Sequence, residues 1–170
     1  MRASQVREVD EEPALEIHDM PGHLIRRMHQ ASQAIFDREI AAAGFDLTSV
    51  QFAALSAIAA RPGLDQASLA STIAFDRPTT GGVIDRLEAK GFVRRIVSKE
   101  DRRARQLYLE PKGLAVLERA RPIVRKIQVQ MLRGLTAQER ATFLKLISKA
   151  ILAVGETSRP GTRALARSDS

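Results

Sequence analysis

From residue 23 to residue 154 the apolar positions recur mostly every three or four residues, with one short interval in which they alternate instead. In HLIRRMHQASQAIFDREIAAAG, Leu24, Met28, Ile35, Phe36 and Ile40 are spaced for one face of a helix, and Gly44 stands where it should end. Thr48 to Gln51 reads TSVQ, a capping box, and leads into Phe52, Leu55 and Ile58 before Pro62 and Gly63 stop the helix. Asp65 is placed to cap a short helix over residues 66–73, and Asp76 to cap the next, which closes at Gly91. After Gly91 the period changes. Phe92, Val93, Ile96 and Val97, then Leu107 and Leu109, interleave with charge and predict two antiparallel strands joined by the loop Ser98 to Ala104. Helix resumes at Pro111 with Leu114, Leu117, Val124, Ile127 and Met131, and a second capping box, Thr136 to Glu139, opens a last helix carrying Phe143, Ile147, Ala150, Ile151 and Val154.

The order is helix, helix, short helix, helix, hairpin, long helix, helix. The predicted fold is mainly α with a small β-hairpin wing: a winged helix-turn-helix with N- and C-terminal dimerisation helices. The long terminal helices have little to cover within so small a core, so their apolar faces are expected to meet a second subunit. The expected division is an acidic arm over 1–20, dimerisation helices over 21–46 and 111–154, a DNA-binding region over 47–110, and a flexible tail over 155–170.

Composition narrows the partners. The chain of 170 residues is 44% hydrophobic and carries a net charge of +7. That excess of cations favours an anionic partner, nucleic acid or an acidic membrane surface. The first twenty residues run against it, with six acids and two arginines. There is no cysteine, so thiol chemistry, disulfides and thiolate metal sites are excluded, and three histidines alone make a thin metal-ligand set. No metal and no cofactor are expected. The longest largely apolar run, Phe52 to Ala60, is short of the roughly 20 residues that span a bilayer. A cytoplasmic protein without a membrane partner is therefore expected. H-E-x-x-H, G-x-S-x-G, P-loop and G-x-G-x-x-G patterns are absent, which argues against an enzyme.

Three segments, LTSVQFAALSAIA, QASLASTIAFDRPTTGGVIDRLEAKGFVRR and DRRARQLYLEPKG, resemble the MarR family of winged-helix transcription regulators. The likeness runs from about Pro21 to Ile151, and its most specific part is Asp101, Arg102 and Arg103 followed by Leu107, Leu109 and Pro111-Lys112-Gly113. The resemblance implies a homodimer on double-stranded DNA with a pseudo-palindromic operator. One helix of each subunit would enter a major groove and each wing the adjacent minor groove. It also implies repression relieved by a small aromatic or phenolic carboxylate.

On that reading the DNA-contacting set is Gln66, Ser68, Arg77, Pro78, Thr79, Thr80, Gly81, Gly82 and Arg86, with Lys99, Arg102, Arg103 and Arg105 from the wing. Arg77 can bind guanine in bidentate fashion, and a threonine can offer its methyl to thymine or its hydroxyl to a phosphate. The adjacent Gly81 and Gly82 each cost a helix about 1 kcal/mol relative to alanine. Either they let the backbone approach DNA closely, or one of them, Gly82 sooner than Gly81, relieves crowding against a neighbouring helix. Asp85 is expected in a structural pair rather than on DNA. By resemblance, Asp101 and Arg103 stiffen the wing loop, and one of Arg102 and Arg103 enters the minor groove. The effector candidates are His18, His23 and Arg26 near the start of the first helix, with Phe52 as a stacking wall. A sequence-tolerant architectural DNA protein is the alternative reading.

Overall fold

The computed structural model describes residues 16–97 and 105–157, with side chains as far as Gly155. A 3-10 turn, Glu16–Asp19, precedes helix α1 (Pro21–Ala42). There follow α2 (Ser49–Ala60), strand β1 (Leu64–Asp65), α3 (Gln66–Ile73), α4 (Arg77–Ala89), β2 (Val93–Val97), β3 (Arg105–Leu109), α5 (Pro111–Met131) and α6 (Ala137–Thr157). The fold is mainly helical with a small antiparallel sheet. The turn lies inside the span expected to be an arm, and α6 runs three residues past the expected end at Val154.

Helix starts are fixed by local chemistry. At α2 the Gln51 amide donates to Thr48 Oγ1 at 3.3 Å and the Thr48 amide donates back to Gln51 Oε1 at 3.2 Å. The Thr136–Glu139 pair repeats this exchange at α6, at 3.3 and 2.7 Å. Asp65 and Asp76 accept from the Ser68 and Thr79 amides, each at 2.7 Å, so both short helices begin on a carboxylate.

Strand β3 is central, with β1 and β2 antiparallel on either side; Val93 pairs with Leu109, Val97 with Arg105 and Leu64 with Leu107. The third strand, β1, was not anticipated, because two residues are too few to express an alternation. Leu55 and Ile58 of α2, Leu69 of α3, Ile84 and Leu87 of α4, Leu107 of β3 and Leu117 of α5 are fully buried in one core. The first turn of α5 approaches the sheet so closely that a Cβ on Gly113 would stand 2.1 Å from the Phe92 carbonyl oxygen. That oxygen accepts the Glu110 amide at 2.9 Å, so only glycine fits there.

The chain divides into two compact units, residues 1–127 and 128–170. The second contains all of α6, none of whose described residues is buried. Ile151, Leu152 and Val154 are each about two-thirds exposed.

Candidate nucleic-acid interface

Helices α3 and α4, with the turn between them, form the helix-turn-helix. Ala74 closes α3 in the left-handed conformation at φ 57°, and Asp76 then opens α4. Arg77 and Pro78 occupy the first turn of α4 and are exposed, as is Thr79. Arg77 has no ion pair among the described residues, so its guanidinium is available to an external acceptor. Both cap carboxylates sit below their ordinary range. The Ser68 amide bond is the main cause for Asp65, and the Thr79 amide bond for Asp76.

The two threonines differ in kind. The Thr79 hydroxyl donates to Asp76 Oδ2 at 2.7 Å, so its hydrogen is already engaged and its methyl and lone pairs are what this exposed residue can offer a partner. Thr80 is completely buried and donates to the Asp76 carbonyl at 2.8 Å. It belongs to the inward stripe Thr80, Val83, Ile84, Leu87 and leaves the set of residues expected to touch DNA. Its position follows from helical period, since 80, 83, 84 and 87 share one face.

Gly81, rather than Gly82, is the crowded glycine. A Cβ on Gly81 would lie 3.0 Å from Gln66 Nε2, whereas one on Gly82 would meet only an Arg86 guanidinium nitrogen at 3.6 Å. Gln66, at the first position of α3, reaches across to donate to the Arg77 carbonyl at 3.3 Å. Its amide therefore ties the two helices together. Ser68 is exposed on the first turn of α3 but serves the Asp65 cap. Arg86 is exposed and unpaired among the described residues, nine positions and about 13 Å along α4 from Arg77.

The wing strands are held to α4 by Arg95 of β2. Its guanidinium pairs with Asp85 and, at 3.0 Å, with Glu88. This is the structural partner anticipated for Asp85, and Arg95 itself was not singled out from the sequence. Arg94 pairs with Glu110 at 2.9 Å and lies over the Tyr108 ring at 5.4 Å. Arg105 is exposed at the last described pair of the hairpin. Lys99, Asp101, Arg102 and Arg103 lie outside the described residues. A further exposed side chain, Phe75, sits in the turn between α3 and α4 immediately before the α4 cap; its only sequence signal is an aromatic within a turn.

The effector candidates do not gather in one chain. The His18 and His23 rings are 5.6 Å apart, and Arg26 is exposed. Phe52 packs its ring on Phe36 at 6.4 Å. Phe36 is ten residues beyond Arg26, about 15 Å along α1, which is more than one small ring can span. Phe52 is thus a wall for Phe36 and not for a ligand held by His23 and Arg26 of the same chain. A cleft of about 530 Å³ opens between α1, α2 and α4, with Gln33, Ser49, Gln51, Arg86 and Lys90 on its walls, and none of the four candidates lines it. Among the described residues no cluster of His, Asp or Glu is arranged to hold a metal, and no helix is long and apolar enough to cross a membrane.

Residues 47–104 match the MarR family model. The transcriptional repressor NicR of Pseudomonas putida is 33% identical over 136 residues, 80% of this chain and 85% of NicR. The structure is similar to that of the PcaV transcriptional regulator of Streptomyces coelicolor in complex with its natural ligand, with a TM-score of 0.76 and 31% identity over 84% of this chain and 99% of that one. It is also similar to BpsR of Bordetella bronchiseptica, whose DNA binding is regulated by 6-hydroxynicotinic acid. There the TM-score is 0.75 with 30% identity, over 80% of this chain and 96% of BpsR.

Proposed function

The chain belongs to the MarR family of transcriptional regulators, and from that premise we propose that it is a homodimeric, sequence-specific DNA-binding repressor released by a small aromatic carboxylate. The observation that carries the DNA reading is the exposed first turn of α4. Arg77 is unpaired there, Pro78 and Thr79 project beside it, and Arg86 continues the cationic line. A helix N-terminus also presents positive potential of its own to phosphate and to base acceptors. Gly82 carries no side chain on this helix and meets nothing but Arg86, which suits a close backbone approach to DNA.

Dimerisation is supported by apolar side chains left exposed in the single chain. Leu24 and Ile25 at the start of α1 and Ile151, Leu152 and Val154 at the end of α6 are all about half exposed or more. Burying such residues against a second copy removes apolar surface at roughly 25 cal/mol per Å². A two-fold pair then presents two α4 helices to successive major grooves, and the operator is pseudo-palindromic.

The effector class rests on the ligand named for BpsR and on Arg26 and His23, one helical turn apart on α1. An aryl carboxylate held there shifts the protein toward a dimer whose α4 helices are wrongly spaced for DNA. It must bind that form more tightly than the DNA-competent one. We assign no enzymatic activity. The test is the ratio of affinity for DNA flanking the gene to affinity for random duplex at one fixed salt concentration, with and without 6-hydroxynicotinate. A ratio of at least a thousand that collapses with the acid supports the reading. A ratio near one makes this an architectural DNA protein.

A further inference from the structure

Beyond the effector candidates on α1, a second concavity of about 310 Å³ lies at the far end of α4 from the DNA-reading turn, where the α1–α2 loop, the α4 C-cap and α5 meet. Phe45, Phe92 and Val116 supply its apolar surface; Lys90, Lys112 and Arg119 supply charge. The lone carboxylate of the lining, Asp46, is committed to Lys90 at 2.8 Å. Two cations therefore remain uncompensated. Arg119 lies over the Phe45 ring at 5.1 Å and Lys112 over the Phe92 ring at 5.4 Å. Lys112 spends one of its three donors on the Lys90 carbonyl, at 3.0 Å. Arg119 has no ion pair or hydrogen bond among the described residues, although Glu118 stands beside it in sequence; Glu118 pairs instead with Arg121 at 3.5 Å. By contrast, the stacked guanidinium of Arg94 is neutralised by Glu110.

We propose that this concavity is a binding site for a small aromatic monoanion, its carboxylate on Arg119 and Lys112 and its ring on Phe45, Phe92 and Val116. The volume is at the lower end of small-molecule clefts and suits one substituted ring. A guanidinium preoriented on an aromatic face offers a fork of donors to a carboxylate at little further ordering cost. Lys112 and Arg119 are seven residues apart, so both lie on the face of α5 that carries Val116. The site is thirteen residues of helix, about 20 Å, from Arg77, so an occupant and the DNA do not overlap. It would instead touch Lys90 and Lys112. Those two ammonium groups hold the end of α4, through the Asp46 carbonyl at 2.7 Å and the Lys90 carbonyl.

The test is calorimetric titration of the full chain, without DNA, by sodium benzoate, benzyl alcohol and inorganic phosphate. In an Arg26→Gln background, which removes the α1 candidate, saturable benzoate binding is expected to persist and to weaken at least tenfold on adding Arg119→Gln and severalfold on adding Lys112→Gln. Both α5 side chains are exposed, and circular dichroism checks that each variant keeps its fold. Equal binding with and without Arg119→Gln in that background, phosphate or benzyl alcohol binding as tight as benzoate, or no saturable benzoate binding would each overturn the site. Operator release by 6-hydroxynicotinate is read separately: release that persists in Arg119→Gln when benzoate binding at this site has proved absent leaves the effector reading standing.

Discussion

The side-chain nitrogen of Gln66 stands 3.0 Å from the point a Cβ on Gly81 would occupy, so the glycine exists to leave room for that amide. The same nitrogen reaches the Arg77 carbonyl at 3.3 Å, linking the first residue of α3 to the first of α4. Gly81→Ala should push the amide off the carbonyl and loosen the first turn of α4. Gly82→Ala meets no such obstacle and should stabilise the fold by about 0.5–1 kcal/mol through helix propensity. Urea unfolding of both variants checks this. If the DNA backbone comes close at Gly82, that variant will be more stable and yet bind operator at least several-fold more weakly.

Thr80 and Thr79 should separate folding from recognition. Thr80→Ala removes a buried hydroxyl and methyl and should cost about 1–2 kcal/mol of stability, leaving the preference among operator sequences unchanged. Thr79→Val keeps the shape but cannot donate to Asp76, and its exposed position predicts altered affinity at one base step. Chemical denaturation and a panel of operator point variants distinguish the two.

Arg95 orients the wing relative to α4, and its loss should be felt through position rather than charge. Its partners Asp85 and Glu88 are well exposed, so a double-mutant cycle of Arg95→Gln with Asp85→Asn should return a coupling of about 0.5–1 kcal/mol. Operator affinity should fall several-fold in Arg95→Gln, while the slope of log K against log salt stays as in the wild type, because no phosphate contact is removed.

The cap carboxylates make a pH prediction. Asp65 and Asp76 are held below their ordinary value of 3.8, chiefly by the amide bonds from Ser68 and Thr79. Their stabilising contribution is therefore whole above that value and is lost as pH falls through the lower, folded-state values. The urea midpoint of the wild type should drop more steeply below pH 4 than that of Asp65→Asn/Asp76→Asn, in which asparagine still caps but does not titrate.

Local chemistry was legible in the sequence; crossings between elements were not. All four helix starts at Thr48, Asp65, Asp76 and Thr136 form the predicted cap bonds, because each involves residues three apart. The inward stripe of α4 follows from its period, and Thr80 belongs to it although the polar, exposed Arg77 and Thr79 stand beside it in sequence. Gln66 against Gly81, Arg95 against Asp85 and Lys90 against Asp46 depend on how separate elements cross, which spacing along the chain does not encode. Phe52 stands apart from the other effector candidates for a simpler reason. Pairing Phe52 with Phe36 places it more than halfway down a 22-residue helix from His23.

The central claim is that two copies of the exposed α4 turn read successive major grooves, and half-site spacing tests it most directly. Operator duplexes with 0, 5 and about 10 base pairs inserted between half-sites should be titrated with the protein under conditions where its stoichiometry is also measured. Binding by two chains that is lost on inserting half a turn, and at least partly recovered on inserting a full turn, is the predicted result. Affinity indifferent to the insertion, or tight occupation of one half-site by a single chain, would contradict it.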